Sequence, residues 1–233
     1  MNARILALDT ATEACSVALL DGERCEARYE EIGRGHAERI LPMVREVLAA
    51  GDCELKDVDA IAVGRGPGAF TGVRIAISIA QGLAFGADKP VVLVSDLAAV
   101  AQRAVNEAGA GRVIAALDAR MGEVYWGLYA RGARGLVELM EQEHVSSPDR
   151  VALPADGSWQ GAGSGWQLEE LRNRSAGGTA AQALHPRLLP RAREIADLGR
   201  AAFERGESVP PHQALPVYLR DDVAVPLSQR SKK

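Results

Sequence analysis

Ile5-Leu6-Ala7-Leu8-Asp9 is an apolar run ending in a carboxylate, and Ile114-Ala115-Ala116-Leu117-Asp118 repeats it later in the 233-residue chain. The segments that follow, Val17-Ala18-Leu19 and Trp126-Gly127-Leu128, fall in the same register. Two lobes built on one plan would give this fixed offset. Chance similarity between two apolar strands that each end in Asp is the other reading. The length admits one large domain or two small ones.

Around the first run, strand and helix signals alternate. A second apolar run covers residues 15–20, Asp21-Gly22 marks a hairpin, and a third strand follows near residues 24–29. Ile40, Val44, Val47 and Leu48 recur at helical spacing up to Gly51, in a helix expected to be bent or to begin late because Pro42 lies in its first turns. Residues 58–63 read as a buried strand, 64–72 as a loop, and 70–85 as a helix ended by Gly86. A strand over 91–94 leads to Ser95, a candidate N-cap for a helix to about Glu107. The order β-β-β-α-β-α-β-α predicts an α/β lobe, a mixed sheet flanked by helices.

Beyond Gly135 the signal weakens. Residues 146–190 are rich in Ser, Gly, Pro and Ala, with 161–165 and 176–178 expected as loops. Residues 191–205 return to helical spacing before Gly206, and 216–220 look strand-like. The expected division is a first lobe over 1–110, a smaller second lobe over 111–220, and a frayed basic tail over 221–233.

Composition removes several function classes. The formal charge of −4 lacks the cationic field that would by itself hold RNA. Residues 1–120 carry 17 acidic against 13 basic side chains, so the whole excess lies there. Three cysteines without C-x-x-C spacing argue for a reducing compartment and against a disulfide framework. The first apolar run is too short for a signal peptide, and no stretch approaches the roughly 18 apolar residues of a membrane span, so a cytoplasmic location is expected.

The glycines of Gly64-Arg65-Gly66-Pro67-Gly68-Ala69-Phe70-Thr71-Gly72 sit between a strand and a helix, where amides would hold an anion or where a tight loop uses glycine for positive φ or close backbone approach. No Gly-Lys-Ser/Thr follows, so this is not a P-loop. Asp9-Thr10-Ala11-Thr12 is similar to the Asp-x-Gly-Thr turn that sugar kinases, actin and Hsp70 chaperones place against ATP phosphates. Ala11 replaces the glycine and Glu13 adds negative charge, which makes a degenerate nucleotide turn. His36, His144, His185 and His212 never approach metal-ligand spacing, and Cys15 reads as core. Asp118, Arg120 and Glu123 form either a site or a salt-bridged turn. Ile40, Met43, Val44 and Val47 in one helix, and Val73, Ala76, Ile77 and Ala80 in the next, either pack on their own sheet or offer a partner an apolar face.

These segments together resemble the TsaB (YeaZ) family along almost the whole chain. The resemblance rests on residues 5–12 and 15–19, HAERILPM at 36–43, GPGAFTGVR at 66–74, DARMGEVYWGLY at 118–129 and PVYLR at 216–220. It implies two actin/Hsp70-like (ASKHA) lobes and a role in synthesis of threonylcarbamoyladenosine beside the tRNA anticodon. It also implies a non-catalytic subunit that pairs with the transferase TsaD, self-associates through the same face and, with TsaD, recruits TsaE. TsaD holds its metal with an H-x-x-x-H pair; here the second place is Ile40, so neither catalytic nor metal residues are expected. The implied partner face falls on Arg39, Ile40, Met43, Val44, Val47, Phe70, Val73, Arg74, Ile77 and Gln81. Gly66, Pro67, Gly68, Thr71 and Gly72 would shape its second helix. No tightly held cofactor is implied, with ATP or ADP at complex interfaces, tRNA reached through the complex and no membrane. An active ATP-dependent transferase or metallopeptidase-like enzyme is the alternative.

Overall fold

A computed structural model describes residues 3–156, 158–176 and 181–220. The first sheet contains β1 (Ile5–Asp9), β2 (Ala14–Asp21), β3 (Arg24–Glu31), β4 (Ala60–Gly64) and β5 (Val91–Val94) in the order β3-β2-β1-β4-β5. The hairpin strands pair antiparallel, whereas β1, β4 and β5 run parallel. The second sheet contains β6 (Arg112–Arg120), β7 (Glu123–Arg131), β8 (Val137–Leu139), β9 (His144–Ser146), β10 (Gln160–Ala162) and β11 (Ala183–His185). Its order is β8-β7-β6-β10-β11, with β9 also paired to β7, and its pairing senses match those of the first sheet. Strand for strand, β6 takes the place of β1, so the offset between Asp9 and Asp118 marks a repeated plan.

Five α-helices complete the described residues: α1 (His36–Ala50), α2 (Phe70–Ala87), α3 (Asp96–Ala108), α4 (Glu169–Ala176) and α5 (Ala192–Glu204). Every residue of β1 is buried, as a central strand covered on both faces requires. Leu6 and Leu8 join Ile40, Met43 and Val47 of α1 and Val73 and Ile77 of α2 in one core. Ile5 and Ala7 point the other way, into a core with Ile195 and Ala196 of α5. Leu97, Val100, Ala101 and Ala104 of α3 pack with Val113, Ala115 and Leu117 of the second sheet. The two repeat-equivalent helices are therefore exchanged. α3, from residues 1–110, covers the second sheet, and α5, from residues 111–220, covers the first.

Local details refine the expected boundaries. α1 begins at His36 and runs through Pro42 rather than starting late. α2 passes Gly86 and stops where Asp88 turns left-handed at φ 54°. Ser95 caps α3, its Oγ accepting from the Leu97 and Ala98 amides. Gly161 and Ala162, expected in a loop, form part of β10. A Cβ on Gly161 would lie 2.5 Å from the Trp166 ring, so this glycine marks close packing rather than a turn. Residues 216–220 form no strand, and Gly177, Gly178 and the tail lie outside the described residues. α2 is long and apolar enough to cross a membrane by length and composition, although no such stretch was expected; it packs on the first sheet through Val73, Ala76, Ile77 and Ala80.

Candidate functional site

The repeated plan brings the ends of β1 and β6 to one cleft of about 1310 Å³ between the lobes, lined by residues 10–13 from the first and 117–120 from the second. This is the carboxyl end of the parallel strands, where open α/β sheets place ligands. Asp9 is fully buried, and its Oδ1 accepts from the Ala11 amide at 2.9 Å. The second turn is salt-bridged. Arg120 donates through its amide and guanidinium to Asp118, while Arg120, Met121 and Gly122 all have positive φ.

The first turn is closed by the chain itself. Thr10 Oγ1 donates to the Gly72 carbonyl at 2.7 Å, and the Ala69 amide donates to the Ala11 carbonyl at 2.7 Å. A Cβ on Gly68 would lie 2.5 Å from the Ala11 carbonyl oxygen, and one on Gly72 would overlap that of Thr10. Gly68 and Gly72 therefore serve close backbone approach, one of the roles their spacing allowed. Thr10 and Ala11 are completely buried beneath the loop. Of the four-residue turn, Thr12 keeps partial exposure, with Oγ1 accepting from the Ala14 amide. Gly66 has φ 95°, and its bond to Pro67 is cis. Thr71 is exposed on the first turn of α2.

Six of the ten expected partner-face residues are withdrawn into the lobe. Ile40, Met43, Val44, Val47, Val73 and Ile77 are at most 3% exposed, because the apolar stripes of α1 and α2 cover their own sheet. Arg39 is held by Glu30 and Glu46 at 2.6 and 2.7 Å, and Gln81 donates to the Ala214 carbonyl. Phe70 and Arg74 do face outward. The Arg74 guanidinium lies 3.4 Å from the Phe70 ring centre and donates to Tyr218 Oη at 2.8 Å. Beside them, Ala37 of α1 and Thr71, Ile75, Ser78 and Ile79 of α2 line a shallow groove of about 450 Å³. Leu41 and Phe85 extend the exposed apolar surface of the same helices at 43% and 83% exposure.

A family model described as "TsaD: tRNA N6-adenosine threonylcarbamoyltransferase" matches residues 30–196, reaching into both sheets. The "tRNA threonylcarbamoyladenosine biosynthesis protein TsaB" of Escherichia coli is 46% identical over 95% of this chain and 96% of its own length. The Haemophilus influenzae protein of the same name is 40% identical over 95% of each. The solved structure "YeaZ from Pseudomonas aeruginosa" superposes with a TM-score of 0.86 at 53% identity, covering 93% of this chain and all of that one. The chain belongs to the TsaB (YeaZ) family.

In this TsaB-family chain the lobes are tied by contacts that residue spacing did not announce. Glu143, in the segment between β8 and β9, is 4% exposed at its side chain. It accepts from Arg65 at 3.1 Å, from Tyr129 Oη at 2.6 Å and from Ser95 Oγ. Burial and the Glu143 carboxylate push the Tyr129 hydroxyl well above its usual value. Residues 217–220 cross the cleft as a strap. The Val217 amide donates to the Arg65 carbonyl of the first lobe, and Arg220 pairs with Glu123 and the Ala119 carbonyl of the second. The PVYLR stretch was the one available signal for this strap. Arg65 and Glu143 are far apart in sequence, and each reads as an ordinary surface charge. Cys15 lies in the core, with burial pushing its thiol up to about 12.

Proposed function

We propose that this chain is a non-catalytic subunit of threonylcarbamoyladenosine synthesis on tRNA, supporting TsaD through the outer face of α1 and α2. The observation that carries the reading is the closed turn: the donors a phosphate would need there are already spent within the chain, the Thr10 hydroxyl on the Gly72 carbonyl and the Ala11 amide on Asp9. A turn so covered positions α2 instead of a nucleotide. The first contacts of α2 with Thr10 and Ala11 fix where Phe70, Arg74, Ile75 and Ser78 stand on the surface. Homodimer and TsaD complex would compete for this face, and TsaE would join the heterodimer. ATP or ADP would sit at interfaces of the complex, and other subunits would make most tRNA contacts. The chain would work in the cytoplasm. The names of its full-length relatives support the pathway.

Mixing purified chain with TsaD and TsaE and assaying modified tRNA tests this directly. The chain alone is expected to be inactive, and the mixture to depend on it. Turnover by the chain alone would instead favour an active transferase or peptidase. Leu41→Asp and Ser78→Arg, both at exposed positions, are expected to abolish TsaD capture in pull-downs while leaving the fold intact. Val44→Asp, at 3% exposure, is expected to unfold the lobe instead, because it buries an unpaired charge. Undiminished capture by both surface variants would place the partner elsewhere.

A further inference from the structure

Beneath the loop that closes the first turn, two carboxyl groups lie side by side in the core. Asp9 ends β1, and Asp96 opens α3; both are completely buried. Each spends one oxygen on the backbone. Asp9 Oδ1 accepts from the Ala11 amide, and Asp96 Oδ2 accepts from the Gly66 amide at 2.6 Å. Each has one buried oxygen left without a partner, Asp9 Oδ2 and Asp96 Oδ1. Gly64 lies directly below the pair, where a Cβ would come within 2.5 Å of Asp96 Oδ1 and 2.6 Å of Asp9 Oδ1.

Two adjacent carboxylates, both completely buried, cannot both be ionised at ordinary cost, and a single O–H···O bond would satisfy both unpartnered oxygens. We propose that Asp9 and Asp96 share one proton, carried on Asp96 Oδ1 and donated to Asp9 Oδ2, and that this bond clasps the loop over residues 64–72 onto the Thr10–Ala11 turn. Asp96 holds that loop from two sides, its carboxyl accepting from the Gly66 amide and its own amide donating to the Gly66 carbonyl. The clasp therefore sets the start of α2 and, through it, the Phe70–Arg74 surface.

The surroundings decide which carboxyl carries the proton. Burial raises Asp96 well above the usual carboxylate range, and Asp9 adds its charge to the effect; burial raises Asp9 only to about 6, because the Ala11 and Thr10 amides stabilise its anion. The other groups facing the pair are Arg65, which favours ionised Asp96, and the neutral Cys15 thiol on β2. Glu143 is already engaged with Arg65 and Ser95. Because the folded values lie above those of the unfolded chain, the pair contributes most at low pH, and its contribution falls as pH rises toward and through the folded values.

The test uses the full chain. Infrared spectra of protein labelled with 13C at the aspartate side chains should show a protonated carboxyl C=O band at neutral pH that disappears in Asp96→Asn. That variant keeps a donor toward Asp9 and an acceptor for Gly66, so it should fold. In urea unfolding between about pH 5 and 8, one extra bound proton makes the wild-type unfolding constant rise up to tenfold more per pH unit than that of Asp96→Asn. Amide exchange at Gly66 should accelerate with pH in the wild type beyond the increase seen in the variant. Absence of the band in the wild type, or identical pH slopes for the two proteins, would overturn the proposal.

Discussion

Gly72 and Gly82 lie in the same helix and show how much the neighbours of a residue matter. A methyl group at Gly72 would overlap the Thr10 carbonyl oxygen, whereas one at Gly82 would meet nothing within 4 Å. Gly72→Ala is thus expected to destabilise the protein by about 2–4 kcal/mol in urea unfolding, because backbone cannot yield as a side chain would. Gly82→Ala should stabilise it by about 0.5–1 kcal/mol, since an exposed helix-interior glycine has excess freedom when unfolded. Sequence alone lists both as glycines in one apolar helix. The close approach at Gly72 depends on where Thr10 lies, and that depends on the pairing of β1 with β4.

Elements were more legible than their outward faces. The apolar spacing of α1 and α2 correctly marked two helices but left open whether Val44 and Ile77 pack on the sheet or face a partner, and the resemblance put them on the partner face. Periodicity finds the side of a helix that leaves water, and a helix has one broad apolar side to give to its own sheet. The residues left outside, Ala37, Ser78 and Gly82 among them, carry no such signal. Polar seams between helices were equally hidden. On α5, Glu194 is completely buried and takes two bonds from Arg191, which also reaches Glu107 of α3. Arg191→Ala should cost about 3–5 kcal/mol by leaving the buried Glu194 carboxylate without its cation and with only the Asn106 amide, at 3.4 Å, as partner, while joint replacement of both by Met should cost much less. A double-mutant cycle in urea measures the difference.

At the scale of the whole molecule, the repeat was visible in two five-residue runs, but not the way its halves are joined. Glu143 gathers Arg65, Ser95 and Tyr129 from both lobes around one buried carboxylate. Glu143→Ala should leave both sheets intact while raising amide exchange in residues 64–72 and 217–220 by about tenfold or more, as local opening becomes easier. Unchanged exchange there would show that the remaining contacts hold the cleft without Glu143. The exchange of α3 and α5 has a further consequence for how this chain can be divided. A cut near residue 110 would leave the first fragment without the helix that covers Ile5, Ala7 and Val92, and the second without the one that covers Val113 and Leu117. Each fragment would expose a bare sheet face and aggregate alone, whereas co-expression would let each supply the other's missing layer. The duplicated halves thus behave as complementary pieces of one cooperative unit, and a split of this protein would work as a reassembly reporter rather than as two free-standing domains.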